Sequence, residues 1–377
     1  MSQTPLQRTP LFPLHQALGA RFVSFAGWEM PLYYQGVVAE HRAVREQAGI
    51  FDISHMGKFT LWGPELGSHL SRLVPSDLSA VRVGSARYTV LLNPLGGIVD
   101  DVIFYRHPPE GELEHWSLIV NAATCQKDRE WLQQQGIPGL ELQDRTASHV
   151  LLAVQGPAAE EVLQPFLEGS LKALRRFQHG QFIPKAPQRE SSAEASVFVA
   201  RTGYTGEDGF ELLLSPSDGR WLWEQLVQAG VQPCGLGCRD TLRLEAGFCL
   251  YGQDIDESTT PLEADLAWLV NNPAEYLGKA ALENQRAEGI PRRLVGFRML
   301  DRAIPRSGYA IYAPNSSQPI GRVTSGTHSP TLGYGIGLGY VDSTWAEVGS
   351  RLEIEIRGQR RLAEVVKKPF YRRQAPA

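Results

Sequence analysis

Two adjacent carboxylates, Asp100 and Asp101, stand inside an apolar, β-rich run, Ile98-Val99-Asp100-Asp101-Val102-Ile103. Successive side chains of a strand point to opposite faces, so the two aspartates must face opposite ways. A carboxylate on an apolar face is costly unless it is paired or used. Asp101 shares its face with Val99 and Ile103, which marks it as the candidate for proton-transfer chemistry. The competing reading is that both aspartates flank a turn and are solvated. A second constellation sets Glu211, inside the apolar strand Phe210-Glu211-Leu212-Leu213-Leu214, beside Arg239, which opens an otherwise apolar helix face. A carboxylate can grip the amino and ring N–H edge of a heterocycle such as a pterin, and a guanidinium can serve a carbonyl or an anion. A structural salt bridge between Glu211 and Arg239 fits the same residues.

Other chemistries find less support. Gly203, Gly206 and Gly209 suggest a phosphate loop, but no Gly-Lys-Ser/Thr follows, and Phe210–Leu214 reads as a strand rather than a helix. Gly333, Gly335, Gly337 and Gly339 likewise precede no helix, so these glycines read as turns and close strand packing. Ser54-His55 is a lone adjacency without a Gly-x-Ser-x-Gly, and His55 reads as a turn or core histidine. Cys234, Cys238 and Cys249 match no standard zinc spacing, and with Cys125 they make only four cysteines, so reduced structural thiols and no metal are expected.

The elements that must position these residues are legible in order. Residues 1–35 form a Pro-rich, aromatic, extended segment. Helices are expected over 36–49, 64–73, 123–135, 157–167, 236–246 and 278–289, and another is capped by Ser215 or Ser217. The Asp100–Asp101 strand returns from a turn, Asn93-Pro94-Leu95-Gly96-Gly97, in which Pro fixes φ and Gly accepts positive φ. Residues 184–196 form a polar, aperiodic loop, read as a mobile insertion. From Arg292 the character changes to six short strands between Gly, Pro and Asn turns, the pattern of a small barrel or jelly roll.

A length of 377 residues implies two or three domains. The net charge of −4 argues against a bulk nucleic-acid binder, and no apolar run approaches a membrane span. The N-terminus shows neither a secretory apolar region nor an Arg-rich amphipathic helix, so a cytoplasmic bacterial protein is expected.

Several blocks taken together resemble the aminomethyltransferases, the T-proteins of the glycine cleavage system. They are Phe25-Ala26-Gly27-Trp28-Glu29-Met30-Pro31, Gly49-Ile50-Phe51-Asp52-Ile53-Ser54-His55-Met56-Gly57 and Gly96-Gly97-Ile98-Val99-Asp100-Asp101. Arg201-Thr202-Gly203-Tyr204-Thr205-Gly206-Glu207-Asp208-Gly209, Arg239-Asp240-Thr241-Leu242-Arg243-Leu244-Glu245-Ala246-Gly247 and Tyr251-Gly252-Gln253-Asp254-Ile255 follow, with Val323-Thr324-Ser325-Gly326, Ser329-Pro330 and Pro369-Phe370-Tyr371 near the end. The resemblance runs almost end to end.

The resemblance implies an α+β fold: a three-domain cloverleaf with two intertwined α/β antiparallel-sheet domains, a C-terminal β-barrel and a central folate channel. Mapped onto this chain, the domains would be 1–50 with 138–245, 51–137 with 246–285, and 290–377. It implies transfer of the aminomethyl carbon from the lipoyl arm of H-protein to tetrahydrofolate, without metal or flavin, by a protein that is monomeric when free. It casts Asp101 as the catalytic carboxylate and Glu211 and Arg239 as the folate anchors. Met56, Tyr88, Asn121, Tyr204, Trp268 and Tyr371 match positions lining the folate channel. Two alternatives share the fold. Demethylating oxidases need a flavin domain that this chain lacks. Non-enzymatic folate-binding modules carry a Lys-Gly-Cys-Tyr-x-Gly-Gln-Glu signature where this chain has Arg201-Thr202-Gly203-Tyr204-Thr205-Gly206-Glu207-Asp208.

Overall fold

The computed structural model describes residues 5–186 and 196–373. The expected mobile insertion at 184–196 therefore lies largely outside the described residues. Contacts divide the chain into two compact units that interleave in sequence. The first is Met1–Gly67, Ala80–Tyr88 and Val102–Asp240; the second is Ser68–Ser79, Thr89–Asp101 and Thr241–Ala377. Among the described residues no helix is long and apolar enough to cross a membrane.

The first unit is built on a seven-stranded sheet at whose centre Gly209–Leu214 lies between Val197–Ala200 and Val150–Gln155. One face of these strands is apolar and covered: Leu152, Val154, Val199, Phe210 and Leu212 are fully buried with Trp223 of the helix Pro216–Gln228. That helix starts where its sequence says it should. Ser215 accepts a hydrogen bond from the Asp218 N–H at 3.1 Å, and Pro216 occupies the first turn, where no N–H is needed. The N-terminal segment folds into a two-stranded hairpin, Arg21–Phe25 and Trp28–Tyr33. Its two-residue turn, Ala26-Gly27, holds both residues at positive φ, 49° and 81°.

A five-stranded sheet has the order Ser85–Leu92, Ile98–Arg106, Glu114–Val120, Gly57–Gly63, Glu141–Asp144. The first two are the expected hairpin. The Asn93 side chain closes its turn, accepting the N–H groups of Leu95 and Gly97 at 2.9 Å each, while Gly96 takes φ 79°. Gly97 is needed for another reason: a Cβ there would lie 1.9 Å from the Glu257 carbonyl oxygen. Gly97→Ala is expected to cost about 3 kcal/mol or more, because the obstacle is backbone and cannot swing away. Leu95→Ala, on the same turn but 81% exposed, is the control and should stay within about 0.5 kcal/mol of wild type. Urea unfolding midpoints of the two variants check this; equal midpoints would refute the close approach.

The second unit contains a closed six-stranded barrel. Its order is Arg292–Met299, Gly335–Asp342, Pro319–His328, Ala310–Tyr312, Arg351–Ile356, Gln359–Val366, and the last strand pairs back to the first. These are the six strands the sequence shows, and the closed barrel replaces the open choice between barrel and jelly roll. Phe297, Ile311, Leu352, Ile354 and Ala363 fill it and are fully buried. The mixed α/β architecture with a C-terminal barrel is therefore as expected.

Candidate functional site

Glu211 occupies the middle of the strand Gly209–Leu214, opposite Ala200 on one side and Ala153 on the other. Phe210 and Leu212 on the strand's other face are buried, which leaves Glu211 half-buried on a face flanked by alanines. The Thr202 hydroxyl donates to Glu211 Oε2 at 2.6 Å. Arg239 lies in the first turn of the helix Leu236–Glu245, and its guanidinium stacks over the Tyr204 ring at 4.7 Å. Burial lowers the proton affinity of Arg239, opposed by the nearby Tyr204 and Glu211. Among the described residues no ion pair joins Glu211 to Arg239, so the salt-bridge alternative is not the arrangement adopted.

The turn that carries Met56 is held from below by buried charge. Asp52 Oδ1 accepts from the Ser54 N–H at 2.9 Å and the Ser54 hydroxyl at 2.5 Å; Oδ2 accepts from Thr9 at 2.6 Å and meets His15 Nε2 at 2.8 Å. Burial alone would raise the Asp52 carboxyl, but the His15 hydrogen bond and charge, with Ser54 and Thr9, bring it below the usual range. Lys58 is 1% exposed and donates to the carbonyls of Ser54 at 2.7 Å and Met56 at 2.9 Å. Burial brings its pKa down to about 8. Its buried ammonium was not apparent in a sequence that reads as a plain alternating strand. The Met56 side chain itself is half-buried.

His55 is a core histidine, 1% exposed, with its ring edge on Phe25 at 5.6 Å. Among the described residues its Nδ1 has no hydrogen-bond partner. Burial first, then the Arg239 charge, push its pKa well down, so it is neutral at physiological pH. Asn121 follows the strand Glu114–Val120, whose Val120 pairs with Gly57, so Asn121 and Met56 flank one end of the same ladder. Tyr88 is half-buried on the strand Ser85–Leu92.

In the second unit the aspartate pair alternates as expected, but the sides are exchanged. Asp100 is 0% exposed, on the same face as Ile98 and Val102, whereas Asp101 is half-buried. Asp101 is thus the carboxylate a ligand can reach, and Asp100 is the one set into the apolar interior. The reason is that both faces of this strand are largely covered, so apolar neighbours do not tell the inner face from the outer. The charge of Asp101 is felt at Cys249, whose thiol is pushed up to about 12 by burial, then by Asp254 and Asp101. Trp268 sits on a short 3-10 turn, Ala267–Leu269, and is 60% exposed. Tyr371 is half-buried, and its N–H donates to the Glu245 carbonyl at 3.0 Å.

Two clusters were not visible as clusters in the sequence. Glu245, 0% exposed, accepts from the Thr331 hydroxyl at 2.8 Å and N–H at 3.1 Å, and from the Ser329 hydroxyl, which ties two distant motif blocks together. The ligand atoms of Glu40, Cys234 and Cys238 lie within 4.8 Å of one another, all buried. The Glu40 carboxylate is committed to backbone. Oε1 accepts from the N–H groups of Tyr34, Gln35 and Gly36 at 2.6, 3.1 and 3.1 Å, and Oε2 from Gly235 at 2.9 Å. Glu40 therefore ties two helix starts together, between residues nearly two hundred apart in sequence.

Residues 11–273 match the GCVT N-terminal domain, and residues 292–372 match the glycine cleavage T-protein C-terminal barrel domain. The chain is 51% identical over 376 residues to an aminomethyltransferase from Nostoc sp., covering 97% of this chain and 96% of that one. It is 50% identical over 371 residues to an aminomethyltransferase from a Picosynechococcus species, covering 97% and 98%. The crystal structure of the glycine cleavage system aminomethyltransferase T from Bartonella henselae superposes with a TM-score of 0.88 at 37% identity, covering 97% of this chain and 98% of that chain.

Proposed function

Because the chain belongs to the glycine cleavage T-protein family, a family of tetrahydrofolate-dependent aminomethyltransferases, we propose that it transfers the one-carbon unit of an aminomethyl group from the lipoyl arm of H-protein to tetrahydrofolate. The products are 5,10-methylenetetrahydrofolate, ammonia and dihydrolipoyl H-protein. The methylene carbon gains two bonds to folate nitrogens and loses one to sulfur and one to the ammonia nitrogen. The two protons leaving the folate nitrogens are delivered to the thiolate and the departing amine. Asp101, half-buried, hydrogen-bonds the folate amine region and takes up a proton as nitrogen attacks carbon. Holding folate against the lipoyl arm supplies much of the remaining rate.

The single observation that carries the folate assignment is the state of Glu211 and Arg239. Each is half-buried, neither is ion-paired to the other, and each is held by a different group, Thr202 for the carboxylate and Tyr204 for the guanidinium. Such a pair presents an oriented acceptor and an oriented donor fork to a ligand, as a pterin edge requires. Glu211→Gln is expected to weaken tetrahydrofolate about tenfold to a hundredfold, the loss of a charge-assisted hydrogen bond. Arg239→Lys should weaken it about as much, because an ammonium cannot reproduce the fork. Fluorescence titration with tetrahydrofolate measures both, and wild-type affinity in both variants would sink the assignment.

A further inference from the structure

We propose that Gln155 and Thr202 are positioning residues that set the two folate anchors. This rests on the reading of Glu211 and Arg239 given above.

Gln155 ends the strand Val150–Gln155 and is 1% exposed. Its amide is used at both ends: Nε2 donates to the Thr202 carbonyl at 3.0 Å, and Oε1 accepts from the Thr205 hydroxyl at 2.9 Å. The loop closes on this amide so tightly that side chains are excluded. A Cβ on Gly203 would lie 1.9 Å from Gln155 Oε1, and one on Gly209 would lie 2.5 Å from Nε2. Residues 202–209 are thus wrapped around one buried amide. That explains the glycine spacing, which resembles a phosphate loop and is not one.

The same loop sends out the contacts that hold each anchor. Thr202 donates to Glu211, so its hydroxyl proton is spent, and the Tyr105 hydroxyl lies 3.4 Å from Thr202 Oγ1 and also within hydrogen-bonding reach of Glu211. The hydroxyls of Tyr105 and Thr202 thus gather at the carboxylate, which Thr202 holds directly. Two residues on, Tyr204 lies under the Arg239 guanidinium at 4.7 Å. One buried amide therefore governs the carboxylate by a hydrogen bond and the guanidinium by a stacked ring. An anchor held in one rotamer before binding loses less freedom when the ligand arrives.

The test uses Thr202→Val, Thr202→Ser and Gln155→Met in the full chain, with tetrahydrofolate affinity, KM and kcat read separately. Thr202→Val is nearly isosteric and removes only the donor. It should weaken tetrahydrofolate about tenfold and raise KM in proportion, with a smaller change in kcat. Thr202→Ser keeps the donor and should recover most of the affinity. Adding Thr202→Val to Glu211→Gln should cost little more than Glu211→Gln alone, because the hydroxyl acts through the carboxylate. Gln155→Met should weaken folate and also loosen the Tyr204 ring, seen as a further loss when combined with Thr202→Val. If Glu211→Gln weakens folate but Thr202→Val does not, the positioning role is wrong and the anchor assignment stands. If Glu211→Gln itself binds normally, the anchor assignment fails and the positioning role falls with it. Should Gln155→Met not fold, the threonine series alone decides.

Discussion

Asp101→Asn is expected to release ammonia from aminomethyl-loaded H-protein a hundredfold to ten-thousandfold more slowly than wild type, about the contribution of a positioned proton-transfer group. Tetrahydrofolate affinity should change little, because the amide keeps the hydrogen-bonding shape and loses only the ability to accept a proton. Thermal stability should also hold, since Asp101 is half-exposed. Asp100→Asn should behave in the opposite way. Asp100 is 0% exposed, and exchanging a buried carboxylate for an amide puts an N–H₂ where an acceptor stood. A loss of about 1–3 kcal/mol of stability is expected, with near-normal turnover in the folded fraction. The pair of neighbours thus separates catalysis from stability by one residue. The measurement is tetrahydrofolate-dependent ammonia release beside a thermal melt for each variant. Equal activity of the two variants would remove Asp101 from the mechanism.

This contrast shows what a strand's alternation can and cannot tell. That Asp100 and Asp101 oppose one another follows from the pleat alone. Which of them is buried depends on what covers each face, and here Ile98, Val102 and Phe104 of one face are buried together with Val99 of the other. Local signals carried further where the partner is close in the chain. The Asn93–Gly97 turn and the Ser215 cap are short-range structures, and the six barrel strands are each bounded by their own turn residues; all stand where their residues indicate. Glu211 and Arg239 were legible as charges on apolar elements, but whether they pair is a question of rotamers and neighbours. Thr202, nine residues from Glu211, supplies the answer. The Glu40–Gly235 hydrogen bond and the Ser329–Glu245 contact join residues far apart in the chain, and nothing local to either partner announces them.

The largest effect of solution conditions should come from histidines the sequence scatters and the fold gathers. His107 stacks on His115 at a centroid distance of 4.4 Å and meets His179 edge-on at 4.7 Å. His107 Nε2 is 2.8 Å from the Ser117 hydroxyl, His179 Nε2 donates to the Arg106 carbonyl at 3.0 Å, and His115 Nδ1 is 2.9 Å from Glu110. Burial, then the neighbouring imidazoles His179 and His115, push His107 down to about 2. Burial pushes His179 down to about 4 against its backbone hydrogen bonds. His115 is lowered too, with Glu110 opposing. In the unfolded chain these rings take up protons near pH 6.5. The unfolded state therefore binds more protons below that pH, and stability falls as the solution is acidified. The loss begins below about pH 6.5 and continues toward the folded values of about 4 for His179 and about 2 for His107. Between pH 8 and pH 5 each of the two deeply buried rings should remove about 2 kcal/mol, a large part of a typical stability. His107→Phe keeps an aromatic ring in the stack without its titration, so its loss between pH 8 and pH 5 should be smaller than wild type by about that amount. Urea unfolding of wild type and His107→Phe at the two pH values decides it. Parallel losses would show that the stack does not carry the acid sensitivity. A smaller loss in the variant would show that three imidazoles packed together are tolerated only because none of them is charged.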